Sequence, residues 1–283
     1  MAAPAIFGYV IIADEYPVEK QPALLGLLNG MVTLSMAFAP VLGSYVNLYF
    51  NWRGNFIILL ILGVACFITS ILAIPSRKGD AKVSLSPAAY FPLFLSKELM
   101  TFVLALCILG TSYWLFIGMA PILYMEGMNV DLKHFGYYQG AMAAAFSIVS
   151  ILSPRILKRY GLRSCLYAGM TICVLNAFFM LAISLMKINQ PLIITCVMTI
   201  FAGAVVFPFN ILYPVALDIV ENAKARTAAL LNSGRLLFTA IGLEIVSYFY
   251  IDDFLPVGLA VFITTFGPML GIQYIIRRGW ARL

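Results

Sequence analysis

The fold is decided by an uncharged stretch near the start of the chain, Ala23-Leu-Leu-Gly-Leu-Leu-Asn-Gly30, which continues to Ser35-Met-Ala-Phe-Ala-Pro-Val-Leu-Gly-Ser44. An α-helix needs about 20 consecutive, mostly apolar residues to cross the roughly 30 Å hydrocarbon core of a bilayer. The run 23–46 has this length and contains no Asp, Glu, Lys or Arg. It therefore predicts a membrane-spanning helix.

The composition extends this prediction to the whole chain. Hydrophobic residues make up 63% of the 283 residues, against about 45–50% in soluble domains. Charged residues make up only 11%, against about 25%, and the mean hydropathy is +0.97. These values exclude a soluble enzyme, a disordered chain and a nucleic-acid-binding protein.

Eight apolar runs are long enough to span a bilayer. The stretch 1–13 is also apolar but too short to span, so we interpret it as the end of a further helix. The predicted fold class is an all-α polytopic membrane protein with eight full transmembrane helices and a partial first one. The eight runs cover 23–46, 54–74, 99–120, 135–153, 165–186, 191–213, 227–248 and 255–276.

The distribution of positive charge predicts the orientation. Fourteen of the 18 Lys and Arg residues fall in loops on one side, three fall on the other side, and Arg235 lies within a run. Because Lys and Arg concentrate in cytoplasmic loops, the C-terminus is predicted to be cytoplasmic. The basic, proline-containing segment 75–98 predicts a central cytoplasmic loop between an N-terminal part, 1–74, and a six-helix C-terminal half, 99–283.

Small residues recur at intervals of four in the first complete run. Gly26 and Gly30 form one such pair. Residues four apart share a helix face, and small side chains there let two helix backbones approach closely. Pro40 removes a helical hydrogen bond and predicts a bend.

The order of small residues around this proline has a known counterpart. It resembles the antiporter motif Gly-x-x-x-Gly-Pro-x-x-Gly-Gly of drug:proton antiporters in the major facilitator superfamily. Ser or Ala stands in place of three of the four glycines. The matching residues are Ser35, Ala39, Pro40, Gly43 and Ser44.

Further segments are similar to the bicyclomycin-resistance (Bcr/CflA) branch of that superfamily. The resemblance implies a twelve-helix fold in which this chain corresponds to helices 4–12 and is truncated at its N-terminus. Residues 1–13 then end helix four, and Asp14 matches the acidic residue that closes it. Trp52-Arg-x-x-Phe56 resembles the start of the sixth helix across the superfamily. The segments that resemble the branch are Ala120-Pro-Ile-Leu-Tyr124, the basic turn 154–163, Phe207-Pro-Phe-Asn210 and Thr227-Ala-Ala-Leu230.

The resemblance implies a function as well as a fold. It implies efflux of small drug-like molecules by proton-coupled antiport with alternating access, in the bacterial inner membrane. The expected partners are the lipid bilayer and a small-molecule substrate, without nucleic acid. The expected energy source is the proton gradient, without a cofactor or metal and without enzymatic activity. The alternative is a truncated, non-transporting fragment of such a transporter, and the oligomeric state and the substrate are left open.

Two charged residues in the run 227–248 are candidates for the substrate cavity. Arg235 lies near mid-membrane, where a charge usually faces a cavity or a partner. Glu244 follows nine residues later, which is 2.5 helical turns, so it points to nearly the opposite side. The alternative for both is a structural ion pair or a side chain that extends to the interface.

Aromatic and amide residues complete the candidate cavity. A large apolar pocket with few polar groups suits varied, apolar substrates. The alternative is that these aromatic residues anchor the helices at the membrane interface. The candidates are Tyr113, Trp114, Phe209, Asn210 and Tyr213.

Overall fold

The computed structural model describes residues 2–17, 19–73, 90–220, 223–250 and 254–281, without the side chains of 2–7, 14, 33, 36, 37, 39–45, 47, 48, 73, 132 and 133. Every regular element in these ranges is helical, which confirms the predicted all-α class. A short π-helix, Ile122–Gly127, continues α4. The α-helices are α1 (Ala2–Glu15), α2 (Gln21–Ala73), α3 (Phe91–Leu95), α4 (Lys97–Pro121), α5 (Leu132–Tyr160), α6 (Leu162–Leu185), α7 (Pro191–Ala204), α8 (Val206–Asp218), α9 (Lys224–Phe249) and α10 (Leu255–Arg277).

Seven segments of the described chain are long and apolar enough to cross a membrane. Each overlaps one of the predicted runs from 54–74 onward, so the chain is a multi-pass membrane protein. The first predicted run, 23–46, is helical within α2, but the side chains of 39–45 lie outside the described residues. The seven segments are Tyr49–Leu72, Lys97–Gly127, His134–Tyr160, Leu162–Leu185, Pro191–Asp218, Lys224–Phe249 and Leu255–Arg277.

The chain divides into two compact units. The larger unit combines Met1–Leu34 with Tyr90–Leu283, and the smaller unit is Ser35–Ala89. The predicted boundary at 75–98 stays a prediction, because residues 74–89 lie outside the described residues.

Within the smaller unit, α2 is interrupted at a single residue. Asn51 has φ 56° and ψ −174°, while the residues on both sides are helical. Asn is among the few non-glycine residues that adopt positive φ at low cost. The loop expected between the runs 23–46 and 54–74 is therefore one residue long.

In the larger unit, α4 and α9 pack by inserting side chains against each other's glycines. A Cβ atom added to Gly110 or Gly118 of α4, or to Gly234 or Gly242 of α9, would lie only 2.8–2.9 Å from a side chain of the other helix. Both glycine pairs are spaced by eight residues, so the two contacts repeat along the interface. The facing side chains are, in the same order, Arg235, Leu243, Cys107 and Leu115.

The apolar run predicted at 191–213 folds as two helices, α7 and α8. Pro208 cannot donate a backbone hydrogen bond to Ala204 O, and its ring clashes with that carbonyl in a continuous helix. The break at Val205 follows from this. Gly169 on α6 makes room for this buried turn, because a Cβ there would lie 3.0 Å from both Ala204 O and Pro208 Cδ.

Helix α2 packs on α5 through backbone atoms, as the spacing of Gly26 and Gly30 predicts. A Cβ atom at Gly30 would lie 2.7 Å from Ile151 Cγ1 and 3.2 Å from Ile151 N. A Cβ atom at Gly26 would contact Ser153 Oγ and lie 2.9 Å from Ser150 O. The predicted close approach is confirmed, and we call these two positions the glycine contact.

Candidate functional site

A tyrosine and two asparagines from three helices form a hydrogen-bonded chain inside the larger unit. Tyr9 Oη on α1 donates to Asn29 Oδ1 on α2 at 2.6 Å. Asn29 Nδ2 donates in turn to Asn210 Oδ1 on α8 at 2.8 Å. Asn210 is only 1% exposed, and its Nδ2 lacks a hydrogen-bond partner among the described residues. Since an unsatisfied buried donor costs free energy, this amide favours a ligand that brings an acceptor.

Tyr213, three residues beyond Asn210 on α8, connects these hydrogen-bonded side chains to α9. Its ring centroid lies 4.7 Å from that of Tyr9 and 5.4 Å from that of Phe209. Its hydroxyl oxygen accepts a hydrogen bond from Asn232 Nδ2 at 3.0 Å. Four helices therefore meet around two tyrosines and three amides.

Arg235 brings a positive charge to the same region. It follows Asn232 by three residues, so both lie on one face of α9. The residue lies roughly 17 Å from the start of α9 at 1.5 Å per residue, deep in the spanning segment Lys224–Phe249. Its guanidinium carbon lies 5.4 Å from the centroid of the Trp114 ring.

The charge of Arg235 is only partly compensated. No carboxylate of the described residues lies within 4.0 Å of it, since the ion pairs found there involve Asp131 and Asp218. A cation over an aromatic ring gains about 0.5–2 kcal/mol. A charge at the centre of a spanning helix costs about 2.5 kcal/mol or more. The guanidinium therefore favours an anionic or electron-rich group beside it.

Gly110 lets the arginine and an aromatic ring approach α4. A Cβ atom there would lie 2.8 Å from Arg235 Cδ and 3.8 Å from Phe209 Cε2. Trp114 also contacts a second aromatic residue of α4. Tyr113 packs edge-on against it, with ring centroids 5.7 Å apart. We call the combined group the amide–aromatic cluster: Tyr9, Asn29, Trp114, Phe209, Asn210, Tyr213, Asn232 and Arg235.

The structure brings most of the predicted cavity residues together. Tyr113 packs beside the cluster, and Trp114, Phe209, Asn210, Tyr213 and Arg235 belong to it. Their role in substrate binding stays a prediction.

Other predicted site residues lie elsewhere. Glu244 is exposed on α9, away from the face that carries Arg235, and its role also stays a prediction. Ser35 is exposed in the smaller unit. The remaining predicted side chains lie outside the described residues: Asp14, Ala39, Pro40, Gly43 and Ser44.

Three polar members of the cluster were missed by sequence reasoning. Tyr9, Asn29 and Asn232 are single uncharged residues within apolar stretches. Two local signals were present. Asn29 directly precedes Gly30 of the glycine contact, and Asn232 lies one turn before Arg235.

The fold and the cluster define a polytopic helical membrane protein with polar groups inside its bundle, as expected of membrane transporters. The comparison with known families agrees. A model of the Major Facilitator Superfamily matches residues 1–243, so the chain belongs to this superfamily. It is a family of transporters rather than of enzymes.

Similar proteins support the predicted branch. The chloramphenicol resistance protein CraA of Acinetobacter baumannii is 23% identical over 253 residues, which is 86% of this chain and 60% of that protein. A bicyclomycin resistance protein homolog of Haemophilus influenzae is 19% identical over 66% of this chain and 48% of its own length. Multidrug resistance protein MdtL of Klebsiella pneumoniae is 25% identical over 56% of this chain and 41% of its own length. The predicted resemblance is confirmed, and the chain spans about half the length of these curated relatives.

Proposed function

We propose that this chain acts in the efflux of small drug-like molecules by alternating access, in the bacterial inner membrane with its C-terminus in the cytoplasm. The amide–aromatic cluster is the observation that carries the proposal. It joins α1 and α2, which precede the predicted central loop, to α4, α8 and α9, which follow it. Transporters built from two repeats bind substrate near mid-membrane where the repeats meet.

The chemistry of the cluster fits a neutral or anionic molecule with an apolar or aromatic body. The rings of Trp114, Phe209 and Tyr213 offer apolar faces. Asn210 Nδ2 and the Arg235 guanidinium offer hydrogen-bond donors to oxygen acceptors. Such a combination tolerates varied substrates, because few of its contacts demand one exact shape.

The proposed energy source is the proton gradient, with no cofactor. The sequence contains no Gly-Lys-Ser/Thr phosphate loop, so it offers no site of that kind for ATP. Proton exchange requires a group that loads and releases a proton within the membrane. Glu244 lies in a spanning segment and is our candidate for this role, with Asp14 as the second.

Efflux is tested by expressing the full chain in a drug-sensitive bacterium and measuring accumulation of radiolabelled chloramphenicol. We expect lower accumulation than in cells with an empty vector. Arg235→Ala should raise the drug concentration for half-maximal efflux by about tenfold or more. A hydrogen bond to a charged group contributes about 1.5–3 kcal/mol, and 1.4 kcal/mol corresponds to a factor of ten.

The matched control is Arg163→Ala, which removes an exposed arginine at the start of α6. It should leave efflux unchanged at equal protein levels. If Arg235→Ala and Arg163→Ala behave alike, the cluster is not the substrate site. If the unaltered chain gives no efflux, the alternative of a non-transporting fragment is favoured.

Proton coupling requires a separate measurement. In inside-out vesicles with an imposed proton gradient, adding chloramphenicol should release protons, seen as recovery of quenched acridine fluorescence. A protonophore should abolish drug uptake into the same vesicles. Uptake that persists with the protonophore would contradict antiport but leave drug transport standing.

A further inference from the structure

A groove of about 560 Å³ lies between the first turns of α4 and the last turns of α10. It is separate from the amide–aromatic cluster and shares no residue with it. The two helices are held together deeper in the bundle, where Thr265 Oγ1 donates to Ser112 Oγ at 3.1 Å. The groove is lined by Lys97, Met100, Thr101, Leu104, Tyr274, Arg278 and Trp280.

The groove carries two positive charges and no negative one among its described lining residues. Neither Lys97 nor Arg278 forms an ion pair within the described part of the chain. Arg278 Nε donates to Tyr274 Oη at 3.0 Å, and its guanidinium carbon lies 5.2 Å from the Tyr274 ring centroid. This hydrogen bond uses one of the five guanidinium N–H donors, so the other donors remain for an anion.

Aromatic side chains at the groove are typical of the headgroup level of a membrane. Tyr274 and Trp280 pack edge to face with centroids 5.7 Å apart. Tyr and Trp concentrate at the level of the lipid headgroups, where one end of the ring system is apolar and the other meets water. Lys97 and Arg278 lie at the end of the bundle that the charge distribution predicts as cytoplasmic.

The wall of the groove formed by α4 changes from charged to apolar along the helix axis. Lys97, Thr101 and Leu104 are spaced by four and three residues, so they lie on one helix face. They extend over about 10 Å at 1.5 Å per residue. Leu104, the residue of this face farthest from Lys97, is 44% exposed. One amphipathic molecule therefore fits the wall, with its anionic group at Lys97 and its chain against Leu104.

We propose that this groove binds an anionic phospholipid, whose headgroup phosphate lies between Lys97 and Arg278 and whose acyl chain lies along Leu104. Basic pockets between membrane-spanning helices at the cytoplasmic side are suited to anionic headgroups. Free inorganic phosphate shares the charge but has no chain for the apolar end. Met100 and Leu104, together with the two cations, therefore favour a lipid over free phosphate.

Native mass spectrometry of the purified full chain tests the site. After incubation with phosphatidylglycerol or phosphatidylcholine in the same detergent, we expect about thirtyfold tighter retention of phosphatidylglycerol, the contribution of two basic residues. K97A/R278A should reduce this preference to near unity. Equal retention of both lipids by the unaltered chain would overturn the proposal.

The matched control is K158A/R159A. It also removes a lysine and an arginine from the predicted cytoplasmic end, and Arg159 likewise stacks on a tyrosine, with its guanidinium carbon 5.4 Å from the Tyr160 ring centroid. Its phosphatidylglycerol preference should equal that of the unaltered chain. Equal losses in both double variants would show non-specific charge attraction and reject the groove. Displacement of the lipid by millimolar inorganic phosphate would reject a lipid as the occupant.

A second readout needs no basic-residue variant and therefore does not depend on the folding of K97A/R278A. Phosphatidylglycerol brominated on its upper acyl chain should quench the tryptophan fluorescence of the unaltered chain more than brominated phosphatidylcholine does. The excess quenching should disappear in Trp280→Phe. Excess quenching that survives this substitution would place the lipid elsewhere.

Discussion

Two adjacent regions hold the N-terminal helices to the rest of the larger unit, and they do so in opposite ways. At the glycine contact, Gly26 and Gly30 of α2 lie against backbone atoms of α5, with no room for one added carbon. In the amide–aromatic cluster, contact is made by long side chains, and Asn210 Nδ2 is left without a partner among the described residues. The regions nearly touch, since a Cβ atom at Gly26 would lie 3.2 Å from Asn210 Nδ2.

The glycine contact is complete as it stands, whereas the amide–aromatic cluster is not. The glycine contact is decided by volume alone, and any larger residue must push the helices apart. The cluster retains an unused donor and a partly compensated cation, so a further molecule can improve it. Substitutions should therefore act on folding at the first region and on folding and ligand binding together at the second.

The largest effect is expected for Gly30→Leu. Its Cβ atom alone would lie 2.7 Å from Ile151 Cγ1 and 3.2 Å from Ser147 O, so even the first carbon of the leucine side chain requires α2 or α5 to shift. Overpacking typically costs about 1–3 kcal/mol and occasionally more, and the four carbons added here place the expected cost at the upper end of that range. We expect a strong loss of folded protein, measured as the thermal unfolding midpoint in detergent by fluorescence-detected size exclusion.

Gly63→Leu is the matched control for this substitution. Gly63 is also on α2, but a Cβ atom there would meet nothing within 4 Å. Leu is a better helix former than Gly by up to about 1 kcal/mol, so the control should be neutral or slightly stabilising. An unfolding midpoint for Gly30→Leu equal to that of Gly63→Leu would mean that the glycine contact does not exist.

The glycine contact could be predicted from the sequence because it depends on the spacing of residues close together in the chain. Two glycines four residues apart in an apolar run indicate which face of the helix is packed and that the packing is close. Run length likewise predicted the spanning helices, seven of which are found in the described chain. The break between α7 and α8 was missed because the run 191–213 is apolar throughout, although Pro208 supplies its physical cause.

Only some members of the amide–aromatic cluster could be predicted from the sequence, because its contacts join distant parts of the chain. Arg235 was identified by its charge in an apolar run, and Trp114, Asn210 and Tyr213 by their residue type. The partner of Asn210 is Asn29, which lies 181 residues away. No periodicity within one sequence relates such positions.

A second prediction concerns the hydrogen-bonded chain in the cluster. Asn29→Leu removes the bonds to Tyr9 Oη and Asn210 Oδ1 and leaves both groups buried. An unsatisfied buried polar group costs about 1–3 kcal/mol, so we expect a loss of stability in this range. The measurement is again the unfolding midpoint, compared with that of Asn210→Leu and of the double variant.

The double variant distinguishes a hydrogen bond from simple packing. If Asn29 and Asn210 bond each other, the two substitutions together should cost less than the sum of the single costs by about 0.6–1.7 kcal/mol, the range for interhelical bonds in membranes. Strict additivity would show that the two amides are not coupled. It would also make the cluster resemble the glycine contact, where volume alone matters.

The smallest effect is expected for Tyr213→Phe. It removes the hydroxyl that accepts from Asn232 Nδ2 but keeps the ring contacts with Tyr9 and Phe209. Asn232 Nδ2 keeps its hydrogen bond to Ala228 O at 3.0 Å, so only one of its two N–H groups loses its acceptor. The cost should therefore be about 0.6 kcal/mol, the average for an interhelical hydrogen bond in a membrane. Tyr213→Leu, which also removes the ring, should lower the unfolding midpoint several times more. Equal effects of the two substitutions would assign the contribution of Tyr213 to its hydroxyl and contradict the aromatic half of the cluster.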